Sequence, residues 1–343
     1  MKVRAWGSTC VVLAVILVLL AGSGCSGKWK IKKNYNESDW NEYRNAVPDA
    51  PSLTLSLPES NGKGLGDLAV YYDYTVDFTR DVNEHVLAIL SWIDEITSYP
   101  PSGQHGAALF WGPWIGDGLS PVEALYVMTK VGDRTYDYVL SWRPKNTDDD
   151  WTPIWSGHVV ASTDTARRGV GNIGIDFTAA RSLDPTIDPQ GQVAVTYDTV
   201  SDGREIQVRY IGFYDAKEDM GGPLNGTYSY HTRADNTGEF LFDWWQDIHW
   251  DQYRGTQYAK LEHSWFNTRW HGDGAGRSDV LVTDGDLPDM VPPIARIEVS
   301  ECWGSDFLRD YYSETYIPDE GEPYANSEGD AGACVFEPDM PTL

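Results

Sequence analysis

From about residue 105 onward the apolar residues fall on every second position, the period of strands with one buried face. Tyr136, Tyr138, Leu140 and Trp142 alternate with Thr135, Asp137, Ser141 and Arg143. Val193, Val195 and Tyr197 repeat the pattern, as do Ile206, Val208 and Tyr210. Between the last two runs Ser201-Asp202-Gly203 supplies the Asp-Gly of a tight hairpin, whose central residues take positive φ. A second hairpin is predicted from Tyr228-Ser229-Tyr230 through Asp235-Asn236-Thr237-Gly238 to Phe240-Leu241-Phe242. Further strands are expected at 107 to 111, 122 to 131, 153 to 162, 171 to 179, 257 to 269, 278 to 283 and 294 to 301.

One segment keeps a helical period instead. Val82, Val86, Ile89, Ile93 and Ile96 recur at spacings of four and three, so they share a face. Asp81 with Glu84 has the spacing of a capping box, and Pro100-Pro101 blocks continuation, which predicts a helix over 80 to 98 with Asn83, Glu84, Asp94 and Glu95 on its polar side. About a dozen short strands with one amphipathic helix near the N-terminal end predict an all-β fold, an antiparallel meander curled into a barrel or half-barrel, with a sandwich as the alternative. Parallel α/β folds are disfavoured because the connections leave no room for crossover helices.

The N-terminus carries different information. Lys2 and Arg4 precede an apolar run from Val11 to Leu20, and Ala21 to Gly24 are small. This is the layout of an export signal over residues 1 to 24, and the run is about half the roughly 20 apolar residues a membrane span needs. The segment Leu20-Ala21-Gly22-Ser23-Gly24-Cys25 resembles the lipobox of bacterial lipoproteins, with Gly22 where that family usually carries an aliphatic residue. The resemblance implies that Cys25 is acylated with fatty chains such as palmitate and becomes the mature N-terminus. By the same resemblance Ser26 points to the outer membrane. The alternative is ordinary cleavage near Gly24 that leaves a free thiol. Either way the globular part is expected to lie outside the cytoplasm.

Of the four cysteines, Cys10 leaves with the signal and Cys25 carries the lipid. Cys302 and Cys334 then form the remaining possible pair, which an oxidising compartment permits. The domain reading is a lipidated N-terminus and tether over 25 to 66, a helix-plus-sheet domain over 67 to 301, and a disulfide-stapled tail over 302 to 343. In the tether, Lys28, Lys30, Lys32 and Lys33 with Trp29 suit an anionic bilayer surface, or else form a solvated linker.

The charge excludes one class of partner. With 52 acidic residues against 26 basic ones and a formal net charge of −26, the chain repels polyanions and is not expected to bind nucleic acid. Calcium is the one cofactor the sequence suggests. Asp273 and Asp279, in Gly272-Asp273-Gly274-Ala275-Gly276-Arg277-Ser278-Asp279, faintly resemble the single-copy equivalent of a β-roll calcium loop. Turn chemistry explains the same residues, and the run of aspartates that would supply most of calcium's six to eight oxygens is missing. The seven histidines show no His-Glu-x-x-His spacing, although His249, Asp251, His263 and His271 could converge across strands. No nucleophile elbow, P-loop or dinucleotide pattern occurs, and no catalytic residue is assigned.

The 15 Trp and 20 Tyr against 9 Phe are the stronger anomaly, since Trp and Tyr serve wet cores and ligand faces alike. Trp111, Trp114, Trp244 and Trp265 are the candidate ligand-binding residues. Trp244 and Trp245, adjacent on a strand, should point to opposite faces. The expected function is a membrane-anchored, non-enzymatic envelope lipoprotein, structural or ligand-binding. Its early helix followed by antiparallel strands looks like the periplasmic lipoprotein-carrier architecture, which would imply a lipid or other amphiphile in a curved-sheet cavity. A glycan-binding or glycoside-acting surface protein using Trp with Asp and Glu is the other alternative.

Overall fold

The computed structural model describes residues 35–58, 68–115, 120–201, 203–215, 223–246, 248 and 260–340, leaving aside the side chains of His85 and Gln246. The export signal, Cys25, the lysines at 28 to 33, Trp29, Asp202, His249, Trp250 and Asp251 lie outside the described residues. Among the described residues the alternating segments form a single sheet of 15 strands, and each strand pairs antiparallel with its neighbour in sequence.

The first eight strands are β1 (Gly103–His105), β2 (Ala108–Ile115), β3 (Val122–Gly132), β4 (Thr135–Pro144), β5 (Thr152–Ala161), β6 (Gly169–Asp176), β7 (Gln190–Asp198) and β8 (Arg204–Tyr214). The rest are β9 (Leu224–Thr232), β10 (Gly238–Gln246), β11 (Glu262–Trp270), β12 (Gly276–Thr283), β13 (Ile294–Trp303), β14 (Arg309–Pro318) and β15 (Tyr324–Gly329). The all-β meander is as expected, and it stays open: β1 and β15 are the two edges of the sheet, not partners.

One face of the sheet is buried from β2 to β13 and becomes progressively exposed over β14 and β15. Tyr126, Tyr136, Tyr138, Val195, Tyr197, Val208, Tyr230, Phe240, Phe242, Phe266 and Val280 belong to one continuous core. Bulky aromatics fit there partly because small residues face them. Gly157, Gly171, Gly238 and Gly276 stand directly opposite Tyr138, Tyr197, Trp270 and Trp303. A Cβ at Gly157 would lie 2.2 Å from the Tyr138 ring, and one at Gly238 2.2 Å from Trp270. Aromatic rings laid over glycines on the neighbouring strand cover otherwise bare backbone and let the inner face narrow, as a curled sheet requires.

The amphipathic helix packs on this inner face. Phe78 sits 4.4 Å from Phe242 and 4.8 Å from Trp244, between ring centroids, and Val82, Val86, Ile89, Ile93 and Ile96 are all buried. The helix, α3, runs over Val70–Ser98, so it begins ten residues before the expected start at 80. Asp81 and Glu84 are therefore mid-helix rather than a capping box. The true N-cap, Ala69, makes no side-chain cap bond. Instead the Glu301 carboxylate on β13 accepts from the amides of Val70 at 3.0 Å and Tyr71 at 2.6 Å, in a position that also favours a negative charge at the helix start.

Three further corrections concern the ends and the connections. Residues 35–58, expected to be tether, contain α1 (Glu37–Ala46) and α2 (Ala50–Leu53), and Tyr43, Leu53 and the α1 C-cap Val47 are buried in the core. Asn83 of α3 holds that segment down, accepting from the Leu55 amide at 2.7 Å and donating to the Leu55 carbonyl at 2.9 Å. The expected strand over 171 to 179 stops at Asp176, whose side chain caps α4 (Phe177–Leu183) by accepting from the Ala179 amide. The expected tail over 302 to 343 begins inside β13 and adds β14 and β15 to the sheet before any irregular segment starts.

Candidate functional site

The four tryptophans singled out from sequence do not converge. Trp111 is 1% exposed and donates its indole N–H to the Tyr99 carbonyl at 2.8 Å. Trp244 is buried against Phe78, and seven strands separate β2 from β10. Trp114 is half-buried beside the core, and Trp265, also half-buried, lies on the outer face. The adjacent pair does split across the sheet: Trp244 is 6% exposed and Trp245 42%.

Asp273 and Asp279 also have separate roles. Asp273 is exposed and closes a turn by accepting from the Ala275 amide. Asp279, fully buried on the outer face of β12, accepts from Arg277 Nε at 2.8 Å, Arg269 Nη2 at 2.9 Å, Ser300 Oγ at 2.7 Å and the Asp339 amide at 3.0 Å. Both carboxylate oxygens are thus committed to protein donors, and two guanidinium groups beside them disfavour a cation. Among the described residues no group of three or more His, Cys, Asp or Glu side chains is placed to hold a metal ion.

This cluster is sealed by the C-terminal segment. Arg277 Nη1 donates to the Phe336 carbonyl, Arg269 Nη2 donates to the Glu337 carbonyl, and Asn267 Nδ2 donates to Asp339 Oδ2 at 3.0 Å. The Phe336 ring lies under the Arg269 guanidinium at 5.2 Å. The clamp is fixed by a Cys302–Cys334 disulfide with a Cα–Cα distance of 5.6 Å.

Two clusters on the outer face were not visible in the sequence. On β10 and β11, Trp245 stacks on His263 with centroids 4.9 Å apart and planes 9° apart. His263 Nε2 is 2.6 Å from Asp243 Oδ1, and Asp243 stands opposite Trp265. On β3 to β6, His158 Nδ1 is 2.6 Å from Asp137 Oδ1. Thr129, Asp137, Ser156, His158 and Asn172 help line a shallow depression of about 320 Å³ there. Each cluster is made of residues from different strands, so only the strand register brings its members together. Both are exposed polar arrangements suited to hydrogen bonding a ligand, and Trp245 with Trp265 adds apolar surface.

No protein-family model matches the chain, and neither does any curated protein or solved structure.

Proposed function

We propose that the chain is an exported protein of the bacterial envelope, anchored to a membrane, the outer one by the Ser26 resemblance, through acylated Cys25 and acting by binding rather than by catalysis. The observation that carries this reading is the Cys302–Cys334 disulfide, which fixes the C-terminal segment over the buried Arg277–Asp279 pair. A disulfide with that structural duty suits an oxidising compartment, in agreement with an export signal ahead of Cys25. Both His–Asp pairs lie on an exposed face rather than in a cleft that excludes water, which supports binding over chemistry.

The test of anchoring is fractionation. Wild type should sediment with membranes and Cys25→Ala should be released as a soluble mature domain; a Cys25→Ala protein that stays with the membranes overturns the anchor.

A second reading is favoured by the outer-face cluster on β10 and β11. Stacked and half-buried indoles beside a carboxylate match the needs of a glycan, which presents apolar ring faces and hydroxyl donors. The carrier reading draws less support, because α3 side chains fill the inner face where an amphiphile would sit. Trp245→Ala should abolish retention on an immobilised polysaccharide that binds wild type, and unchanged retention removes the glycan reading.

A further inference from the structure

A sheet of this kind has two edges, and the two are treated differently. At one edge β1 is three residues long, follows Pro100 and Pro101, and is held under the start of α1: Gln104 accepts from the Asn36 amide at 3.2 Å and donates to Asp39 at 3.1 Å. Short, covered edges resist pairing with another chain. At the other edge β15 has six residues, all exposed, with a regular ladder to β14 and neither proline, lysine nor bulge within it.

The hydrogen-bonding direction of β15 follows from its end. The Asp330 amide donates to the Asp310 carbonyl at 3.0 Å, so by antiparallel alternation Glu328, Asn326 and Tyr324 direct their backbone groups to β14. Ala325 and Ser327 direct theirs outward, from the open edge, while Gly329, at φ +83°, turns the chain out of the extended path. The inner face of β15 carries Tyr324, Asn326 and Glu328, in register with Tyr316, Glu314 and Tyr312. Tyr324 is 50% exposed and stacks on Tyr316 at 4.7 Å with planes 4° apart.

We propose that β15 is a homodimerisation strand, pairing antiparallel with β15 of a second copy about a two-fold axis at Asn326. In that register Asn326 faces Asn326, Tyr324 of each copy faces Glu328 of the other, and Ala325 faces Ser327. Within β15 no like charges are opposed and the strand is its own complement, while Glu322 meets Asp330 of the other copy just past the end of the ladder. Centring on Ala325 instead sets Glu328 against Glu322, a destabilising like-charge pair. Centring on Ser327 moves Tyr324 opposite Asp330, beyond the strand. Pro323, with no amide hydrogen, ends the ladder opposite Gly329, and about four backbone hydrogen bonds join the copies. Beyond Gly329 the chain turns toward Asp310 and Cys302, away from the edge.

The contact falls below the roughly 1,200 Å² of a standard interface, so it is weak in dilute solution. The copies share a large negative charge, and association therefore strengthens as salt screens their repulsion.

The experiment uses the full chain with Cys10 and Cys25 replaced by alanine, so that an engineered cysteine is the sole free thiol. Asn326→Cys places two thiols across the axis in a pair whose Cα atoms lie about 4.5 Å apart, within disulfide reach. Mild oxidation should give a covalent dimer on a non-reducing gel about tenfold faster or more than Ala325→Cys does, because facing thiols have a high effective concentration. Ser327→Pro removes an outward amide and none used by β14, so it should suppress that cross-linking while the thermal unfolding midpoint is unchanged. Equal rates at 325 and 326, cross-linking indifferent to Ser327→Pro, or no covalent dimer of Asn326→Cys at all overturns the proposal.

Discussion

Single residues decide how tightly the sheet can curl. Because the Tyr138 ring already occupies the space above Gly157, Gly157→Ala should lower stability by about 1–3 kcal/mol, the usual cost of overpacking. Gly174 on the next strand has nothing within 4 Å of an added Cβ, so Gly174→Ala should stay within about 0.5 kcal/mol of wild type. Urea unfolding of the two variants compares them, and equal losses would refute the ring-over-glycine account. Glu301 sets a pH dependence. Burial pushes its carboxyl above the ordinary value of 4.5, against the opposing pull of the Tyr71 and Val70 amides and Arg309. The folded state thus binds that proton more tightly than the unfolded one, so the group's contribution is fully present below the unfolded value and declines as pH rises through the folded one. Stability of wild type relative to Glu301→Gln should therefore fall between acid and neutral pH, and a flat or rising difference in urea midpoints would contradict the shift.

At the scale of elements, the C-terminal clamp and α3 carry the measurable consequences. Reducing the disulfide should cost about 3–4 kcal/mol in the chain-entropy account of a loop of this size. Asp279→Ala should cost about 3–5 kcal/mol, because it strands buried Arg277 without its counter-ion. Denaturant unfolding with and without reductant checks the first and unfolding of the variant the second; a change of a few tenths in either would show that the tail is not holding the cluster shut. The same elements show what a linear reading can reach. The end of α3 was legible from Pro100-Pro101 and its buried stripe from Val82 to Ile96, since both signals are local. Its beginning was not, because the group that satisfies its first amides is Glu301, 230 residues away from Tyr71. Likewise the apolar stripe of α1, Trp40, Tyr43 and Val47, spans only two turns among polar residues, and the helix is held by tertiary contacts such as the Trp40 indole on the Thr97 carbonyl. Ile173, Ile175 and Phe177 continue an alternating pattern past the point where Asp176 starts a helix. The candidate binding clusters were illegible for a related reason: Trp245 meets His263, and Asp137 meets His158, through register alone.

For the whole molecule, topology and charge dominate. Every strand pairs with its sequence neighbour, so the sheet can grow one hairpin at a time without closing long loops, an arrangement of low cost in loop entropy. The excess of 26 negative charges works against compaction, and moderate salt should raise the thermal midpoint as repulsion is screened. Melting curves at several ionic strengths test this, and a midpoint that falls with added sodium chloride would show that local ion pairs outweigh the global field.

Stapling Cys302 to Cys334 gives the order of assembly a checkpoint. Until Cys334 is available the last covalent tie cannot form, and the cover that Phe336, Glu337 and Asp339 lay over Arg269, Arg277 and Asp279 on the back of β12 is not fixed in place. A polypeptide shortened before that point would retain the residues of all fifteen strands yet leave the charged stripe of β11 and β12 without its cover.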